Sequence, residues 1–234
     1  MGIAVVLASG IGKRMGAGKN KVFLKLKNKP VIFYVLRAFE DHPGIQKIII
    51  TSKPEEIEAI KSLCQKHGFK KIAGIISGGK ERQHSAYNAL MYIKEHKLSK
   101  GSSPVIFHNG ANPFVTKEEI QKSMREAKRH GACVVAHPSK DTIKEIGERG
   151  MVLRTLERKT LWNMQTPQTI RFDLAFKAFS KAFRDNFLGT DDVSLVERLG
   201  EKVKVIEASI HNFKITTPMD LELAKIIIKK YYVQ

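Results

Sequence analysis

The stretch that decides the fold is residues 3–16, IAVVLASGIGKRMG. The apolar run at 3–7 predicts a buried strand, since continuous apolar runs are typical of parallel strands covered on both faces. Small residues follow at once, and then the cations Lys13 and Arg14. A strand that runs into bare backbone and positive charge is typical of a polyphosphate site. Several kinds of protein bind phosphate in this way, and glycines alone also mark purely structural turns.

Outward from this stretch, short β-rich runs alternate with helical patterns. The predicted strands cover residues 45–52, 70–77, 104–109 and 132–137, and the predicted helices cover 30–40, 53–68, 81–96 and 116–131. This β-α-β-α order predicts an α/β fold, a Rossmann-like, mostly parallel twisted sheet with helices on both faces. Thr116 with Glu119 predicts a capping box at the start of the last of these helices, and Gly131 its end.

The alternation breaks between about residues 138 and 162. Two polar, alternating segments flank the turn sequence GERG at 147–150, which predicts a protruding β-hairpin, here called the β-arm. Such a hairpin buries little surface by itself. We therefore expect it to pack on something else, such as a second subunit. The whole chain, residues 1–234, is predicted to be a single domain in which the β-arm is an insertion.

Two predictions concern the C-terminal third. Residues 212–216, NFKIT, predict a strand with Phe213 and Ile215 in the core and Lys214 on the opposite face. Thr190 is predicted to cap a helix whose first turn is acidic.

The net charge is +18, from 41 Lys and Arg against 23 Asp and Glu. The basic residues are scattered among acidic and apolar ones in helical segments, which is typical of solvated helix faces. The sequence has no zinc-finger spacing, RNP-like aromatic strand or basic zipper, so nucleic-acid binding is disfavoured. A positive field also favours an anionic small-molecule substrate.

The cysteines and the hydropathy of the sequence indicate the cellular compartment of the protein. Cys64 and Cys133 lie far apart and form no CxxC pair, so we expect buried, reduced thiols. The N-terminal apolar run is too short to cross a membrane. A soluble, cytoplasmic protein without membrane partners is predicted.

The glycine loop itself excludes a P-loop and disfavours a dinucleotide site. The P-loop pattern GxxxxGK[ST] is missing, and the glycines are spaced GxGxxxG, not the GxGxxG of a dinucleotide site. Lys13, Arg14, Lys19 and Lys21 crowd the same segment. Two like charges about 4 Å apart at a partly screened site repel by roughly 4 kcal/mol, which a bound triphosphate would turn into attraction.

Several further motifs make the pattern specific. In order, they are SGGKERQHSAYNAL, VIFHNGANPFVT, KDTIK, LERKTLWNMQTPQTI, TDDVSLVE and NFKITTPMDLELA. With the N-terminal stretch, they make residues 3–230 resemble the methylerythritol-phosphate cytidylyltransferase family and its close relative, ribitol-5-phosphate cytidylyltransferase. The resemblance implies a nucleotidyltransferase domain that moves CMP from CTP to a polyol phosphate. Pyrophosphate leaves, and Mg²⁺ is required, bound mainly through the CTP phosphates. Methylerythritol 4-phosphate is the leading acceptor and ribitol 5-phosphate the alternative.

The resemblance also implies roles for single residues. The catalytic set is Arg14, Lys21 and Lys214. The nucleotide-binding set is Ala8, Ser9, Gly10, Gly12, Gly79, Lys80, Ser85, Asn109 and Gly110. The substrate-binding set is Asn112, Thr142, Arg158 and Thr190. In the family, the threonine at the position of Thr142 faces the polyol phosphate within one subunit. The arginine at the position of Arg158 comes from the neighbouring subunit's arm. A homodimer is therefore implied.

Four positions depart from the family's usual residues. Asn109 stands in place of an Asp, Asn112 in place of an Arg, His84 in place of an Asp, and Asn20 in place of a Pro. Asn109 is a poor Mg²⁺ ligand, and losing the Arg removes a bidentate phosphate partner. The change at Asn20 is expected to loosen the loop before Lys21.

A non-catalytic nucleotide-binding or nucleic-acid-binding protein is the alternative from a different class. The +18 charge and the two Asn substitutions favour it. Retention of Arg14, Lys21, Arg158 and Lys214 favours an enzyme instead. A nucleic-acid binder predicts affinity that falls steeply with salt. An enzyme predicts CTP affinity that falls when Lys21 or Arg14 is replaced.

Overall fold

The computed structural model describes residues 1–10 and 20–231. Its strands are β1 (Gly2–Leu7), β2 (Lys25–Leu26), β3 (Lys29–Pro30), β4 (Ile45–Ser52), β5 (Ile72–Ser77), β6 (Pro104–Asn109), β7 (Ala132–Pro138), β8 (Lys144–Ile146), β9 (Val152–Thr155), β10 (Trp162–Arg171) and β11 (Lys204–Glu207). Its α-helices are α1 (Val31–Glu40), α2 (Ile57–Lys66), α3 (Arg82–Glu95), α4 (Lys117–His130), α5 (Phe172–Arg184), α6 (Asp192–Glu197) and α7 (Pro218–Tyr231).

A seven-stranded sheet has the strand order β11-β7-β10-β6-β1-β4-β5. β10 is antiparallel to both of its neighbours, and the other pairs are parallel. The predicted mostly parallel α/β sheet is therefore confirmed. Because β1, β4, β5 and β6 run in the same direction, their carboxyl ends meet at one edge.

Helices cover both faces of the sheet, as predicted. One apolar core joins the sheet to α1, α2, α4 and α7, and a second joins it to α3, α5 and α6. β1 shows why its sequence is apolar without interruption. Ala4 and Val6 belong to the first core, and Ile3, Val5 and Leu7 to the second. Both cysteines are buried and free, as expected. Burial raises the pKa of Cys64 to about 11 and of Cys133 to about 12.

The predicted capping of α4 is confirmed. The Thr116 side chain accepts from the Glu119 amide, and the Glu119 carboxylate accepts from the Thr116 amide. The helix ends at Gly131, whose φ of 91° favours glycine. The prediction for Thr190 is wrong, because Asp191 caps α6 by accepting a 2.9 Å hydrogen bond from the Ser194 amide.

The predicted strand at residues 212–216 is also wrong. This segment has no strand pairing. It is held instead by a 2.9 Å hydrogen bond from the Ile215 amide to the Ala111 carbonyl. Ile215 is buried and Phe213 packs against the core, as expected. Asn212 is fully buried.

The β-arm forms where the sequence predicted it. β8 and β9 pair in antiparallel fashion, and a 3₁₀ turn at Glu148–Gly150 joins them. Both strands are exposed along their length. Within the two described ranges, none of the helices combines the length and hydrophobicity needed to span a bilayer.

Candidate active site

A cavity of about 880 Å³ opens at the carboxyl edge of the sheet, where β1, β4, β5 and β6 end. Ligands of open α/β sheets bind at this edge. The described residues that line it are Leu7, Ala8, Ser9, Gly10, Asn20, Lys21, Val22, Ser52, Lys53, Pro54, Glu55, Gly78, Gly79, Lys80, Glu81, Arg82, Asn109, Ala111, Lys214 and Thr216.

Cations dominate the charge of this lining. They are Lys21, Lys53, Lys80, Arg82 and Lys214, and the acids of the described lining are Glu55 and Glu81. A concave site with excess positive charge attracts polyanions. Sequence reasoning missed Lys53. The sequence could have indicated Lys53, because this residue directly follows the predicted strand at 45–52, whose end we expected beside the loop after the first strand.

The first loop, of which the structure describes residues 8–10, reaches the cavity. Ala8, Ser9 and Gly10 line it. The Ala8 amide donates to the Thr51 carbonyl over 2.8 Å, which joins the loop to the end of β4. Two residues implied in nucleotide binding and catalysis, Gly12 and Arg14, lie outside the described residues.

Gly110 packs beneath the first loop. Its amide donates to the Leu7 carbonyl over 2.8 Å. A Cβ added at Gly110 would lie 3.2 Å from the Ala8 Cβ and 3.2 Å from the Leu7 carbonyl oxygen. The missing side chain lets the segment after β6 approach the end of β1 closely, which supports the floor of the cavity.

The segment at residues 79–85, which includes three residues of the implied nucleotide-binding set, lies directly beside the first loop. Gly79 and Lys80 line the cavity, and Ser85 is buried behind them. The Ser85 hydroxyl accepts from the Gly79 amide over 2.9 Å and lies 3.0 Å from the Ser9 hydroxyl. Ser85 thus joins the two loops. A Cβ at Gly79 would lie 2.3 Å from the His84 Cβ, so this turn requires glycine.

Arg82 connects the first turn of α3 to two distant segments. Its two terminal nitrogens each donate over 2.7 Å to a different carboxylate oxygen of the buried Asp192. Its Nε donates over 3.1 Å to Oδ1 of Asn109. Burial raises the pKa of Asp192, and the Arg82 guanidinium opposes that rise. Asp192 was not predicted as part of the site.

A second cavity of about 390 Å³ adjoins the first and shares Arg82, Asn109 and Lys214 with it. Its other lining residues are Met164, Gln165, Thr166, Gln168, Thr190 and Asp191. Thr190, implied as a substrate ligand, and Lys214, implied in catalysis, are therefore brought together. The site has two compartments with cations at their junction.

Gln168 fixes the wall of the second cavity and was also missed. Its Oε1 accepts from the Asp192 amide over 2.8 Å, and its Nε2 donates to Oδ2 of Asp191 over 2.9 Å. The motif LERKTLWNMQTPQTI contains Gln168 but gives no local sign of these contacts.

Asn112 is fully buried under Asn109. Oδ1 of Asn112 accepts from Nδ2 of Asn109, and its own Nδ2 donates to Oδ1 of Asn212, each over 3.4 Å. The Asn112 carbonyl also lies 2.9 Å from Nε2 of His108. The structure thus places Asn112 behind the cavity wall, where its contacts are to protein groups.

Thr142 and Arg158 lie on the exposed β-arm. Nη1 of Arg158 donates to the Lys140 carbonyl over 3.3 Å. Neither residue is among the described residues that line the two cavities of its own chain.

The donor groups of the site determine how it could hold a metal. Within residues 1–10 and 20–231, no three His, Cys, Asp or Glu side chains come together as a ligand set. Oδ1 of Asn109 already accepts from Arg82. Mg²⁺ commonly binds through substrate phosphates with few protein ligands. Within these ranges, the protein side chains alone therefore form no such cluster of metal ligands.

Comparison with known proteins agrees with this geometry. Residues 3–230 match the sequence model of 2-C-methyl-D-erythritol 4-phosphate cytidylyltransferase. A protein of that name from Bacillus mycoides is 45% identical over 221 residues, which are 94% of this chain and 95% of the relative. Another, from Caldanaerobacter subterraneus, is 41% identical over 228 residues, which are 97% of this chain and 98% of the relative.

Solved structures agree as well. The 4-diphosphocytidyl-2C-methyl-D-erythritol synthase of Anaerococcus prevotii superposes with a TM-score of 0.84 at 27% identity, covering 97% of this chain and 96% of that one. The 2-C-methyl-D-erythritol 4-phosphate cytidylyltransferase of Francisella tularensis superposes with a TM-score of 0.80 at 32% identity, covering 97% and 99%. With this coverage, the chain belongs to the 2-C-methyl-D-erythritol 4-phosphate cytidylyltransferase family.

Proposed function

We propose that this protein transfers CMP from CTP to 2-C-methyl-D-erythritol 4-phosphate and releases pyrophosphate, a reaction of isoprenoid precursor biosynthesis. The observation that carries the proposal is the pair of adjoining cavities, joined at Arg82, Asn109 and Lys214, in a chain of this family. A transfer between two phosphates needs two anion sites with a shared cationic boundary.

The large cavity suits the nucleotide. The backbone at Ser9 and Gly10 suits the triphosphate, whereas the Ala8 amide already donates to the Thr51 carbonyl. Lys21 and Lys53 line the same cavity. Gly79 and Lys80, which line the cavity beside the first loop, suit the base, since backbone groups can distinguish the amino group of cytosine from a carbonyl. The smaller cavity, with Thr190 and Lys214, suits the acceptor.

The chemistry requires positioning more than proton transfer. A phosphate oxygen of the acceptor attacks the α-phosphorus of CTP. The bond from that phosphorus to the bridging oxygen breaks, and pyrophosphate carries away the electron pair. Because the nucleophile is already an anion, no general base is needed. The protein lowers the barrier by aligning the two anions and stabilising the added charge on the α-phosphate.

We assign Lys21 and Arg14 to stabilising that charge and Lys214 to orienting the acceptor phosphate. Lys21 lies on the large cavity, and Lys214 lies where the two cavities meet. Mg²⁺ on the triphosphate would neutralise part of its charge. Asn109 contributes a neutral amide beside Arg82 in place of the family's usual carboxylate.

We further propose that the active form is a homodimer in which each β-arm reaches the partner's site. Ile146, Met151, Val152 and Leu153 on the arm are all more than half exposed. A hairpin with so much apolar surface is stabilised when it packs on another molecule. Thr142 and Arg158 on the arm are then available for an acceptor phosphate outside their own chain's cavities.

The test is pyrophosphate release with CTP and Mg²⁺, comparing methylerythritol 4-phosphate with ribitol 5-phosphate. We expect release with methylerythritol 4-phosphate. Release with ribitol 5-phosphate alone would identify ribitol 5-phosphate as the acceptor and leave the proposed cytidylyl transfer standing. No release with either acceptor would contradict the proposal. Strongly salt-dependent affinity for RNA or DNA would then favour the binding-protein alternative.

A further inference from the structure

Asn20 occupies the position immediately before Lys21, where the family usually has proline. The expectation of a looser loop concerns residues 11–19, which lie outside the described residues, whereas Asn20 itself is described. The residue is only 4% exposed. Its backbone, with φ −62° and ψ 125°, caps the 3₁₀ turn Lys21–Phe23. Lys21, which carries the positive charge, is therefore the first residue of a turn that Asn20 caps.

Both amide hydrogens of Asn20 have acceptors. Nδ2 donates over 2.7 Å to the Ala8 carbonyl at the end of β1 and over 2.8 Å to Oε2 of Glu56. Oδ1 of Asn20 accepts from the Val22 amide over 3.3 Å. One side chain thus connects the Lys21 turn to the first loop and to the segment after β4.

Glu56 is itself held in place. Its Oε2 also accepts from the Ser52 hydroxyl over 3.4 Å, and its Oε1 lies 4.0 Å from Nζ of Lys53. The Glu56 side chain is 15% exposed, so its charge is partly shielded from solvent. Lys53 lines the large cavity, as Lys21 does. Asn20 and Glu56 therefore link two cationic walls of the cavity.

We propose that Asn20 is a positioning residue that fixes Lys21 at the triphosphate, an assignment that rests on the role of Lys21 proposed above. Donation to a carbonyl and to a carboxylate at once requires a side chain with two donor hydrogens, which the Asn20 amide supplies. Aspartate at position 20 would place an oxygen against the Ala8 carbonyl and the Glu56 carboxylate. Alanine would leave both acceptors without their donor, which is costly at a buried site.

The experiment compares the wild-type protein with Asn20→Asp, Lys21→Ala and the Asn20→Asp/Lys21→Ala double variant. The readouts are kcat for pyrophosphate release, KM for each substrate and the unfolding temperature. We expect Asn20→Asp to lower kcat on the order of 10- to 100-fold, the range for a catalytic group displaced by about 1 Å. KM for the acceptor should stay unchanged. Asn20→Ser, which keeps one donor, is the second variant if Asn20→Asp does not fold.

Two results separate positioning from a merely structural role. In the Lys21→Ala background, Asn20→Asp should cause no further loss of kcat, because residues that act through one another are non-additive. Asn20→Asp/Glu56→Gln should recover part of the loss, since the amide introduced in place of the Glu56 carboxylate can donate to the new carboxylate at position 20. Wild-type kcat in a folded Asn20→Asp or Asn20→Ser variant would overturn the proposal, as would full additivity with Lys21→Ala.

Failure of the proposed function is distinguishable. A wild-type protein that releases no pyrophosphate with either acceptor would overturn that function and this assignment with it. A Lys21→Ala variant with wild-type turnover would overturn the role of Lys21 and of Asn20 but leave the reaction standing. An impaired Lys21→Ala with additive loss on Asn20→Asp would overturn only the role of Asn20.

Discussion

Arg82 and Asp192, separated by 110 residues in the sequence, form a bidentate ion pair that joins the first turn of α3 to the first residue of α6. Asp192 is 1% exposed, whereas Arg82 reaches both cavities. The pair therefore joins the walls of the two cavities.

Arg82→Ala should destabilise the fold by about 3 to 5 kcal/mol, because it leaves a buried carboxylate without its partner. Urea unfolding measures the difference. Arg171→Ala is the matched control, since its pair with Asp173 is exposed and should contribute less than about 1 kcal/mol. Equal losses in the two variants would contradict the importance of burial at Asp192.

Stability should depend on His108 below neutral pH. His108 is fully buried, and within the described residues its Nδ1 has no hydrogen-bond partner. Burial, assisted by Arg82, lowers the pKa of His108 to about 4, although the bond to Asn112 raises it. Between pH 6.5 and 4 the unfolded chain binds the proton and the folded protein does not. The free energy of unfolding should therefore fall by about 3 kcal/mol as pH drops through this window.

The check for His108 is urea unfolding of the wild-type protein and His108→Gln at several pH values. Glutamine can still donate to the Asn112 carbonyl, and it does not titrate. The wild-type protein should lose more stability than the variant between pH 6.5 and 4. Parallel losses in both proteins would assign the pH dependence to other groups, such as carboxylates.

Lys21→Ala should lower turnover by about two orders of magnitude or more, the usual scale for losing one donor to the transition state. Steady-state pyrophosphate release measures it. Lys25→Ala is the matched control, because Lys25 lies four positions further on and is exposed. Near-normal turnover of the Lys21 variant would remove this residue from the mechanism.

The β-arm should control the oligomeric state. Met151→Glu/Leu153→Glu places charge on side chains that are 68% and 64% exposed. It should convert the dimer to monomer in sedimentation velocity, since buried unpaired charge at an interface is costly. Phe183→Glu is the control, because that residue is 53% exposed but lies on α5. A monomeric wild-type protein, or a dimeric arm variant, would contradict the dimer proposal.

Mixed dimers test whether the arm completes the partner's site. Arg158→Ala and Lys214→Ala should each be impaired alone. Random mixing of equal amounts after subunit exchange should restore about a quarter of wild-type activity. Half of the dimers are then mixed, and each mixed dimer has one intact site and one site that lacks both side chains. Mixtures no more active than the average of the two variants would show that Arg158 and Lys214 do not act at one shared site.

Local patterns in the amino-acid sequence were sufficient to predict most of the fold. The apolar run at 3–7 predicted β1, the Thr116–Glu119 box predicted the start of α4, and GERG predicted the turn of the β-arm. These features depend on interactions between residues close in sequence, so periodicity and caps reveal them. The cationic, glycine-rich loop after β1 likewise indicated which edge of the sheet would bind phosphate.

Tertiary structure decided what the local pattern left open. The predicted strand at 212–216 failed because Ile215 bonds to Ala111 at a distant loop rather than to a strand. The Arg82–Asp192 pair, the burial of Asn112 and the contacts of Asn20 with Ala8 and Glu56 involve partners that only chain topology brings together. The sequence thus determined the elements and the kind of ligand through short-range chemistry. The tertiary structure decided which side chains line the two cavities and which hold the others in place, because long-range packing leaves no periodic signal.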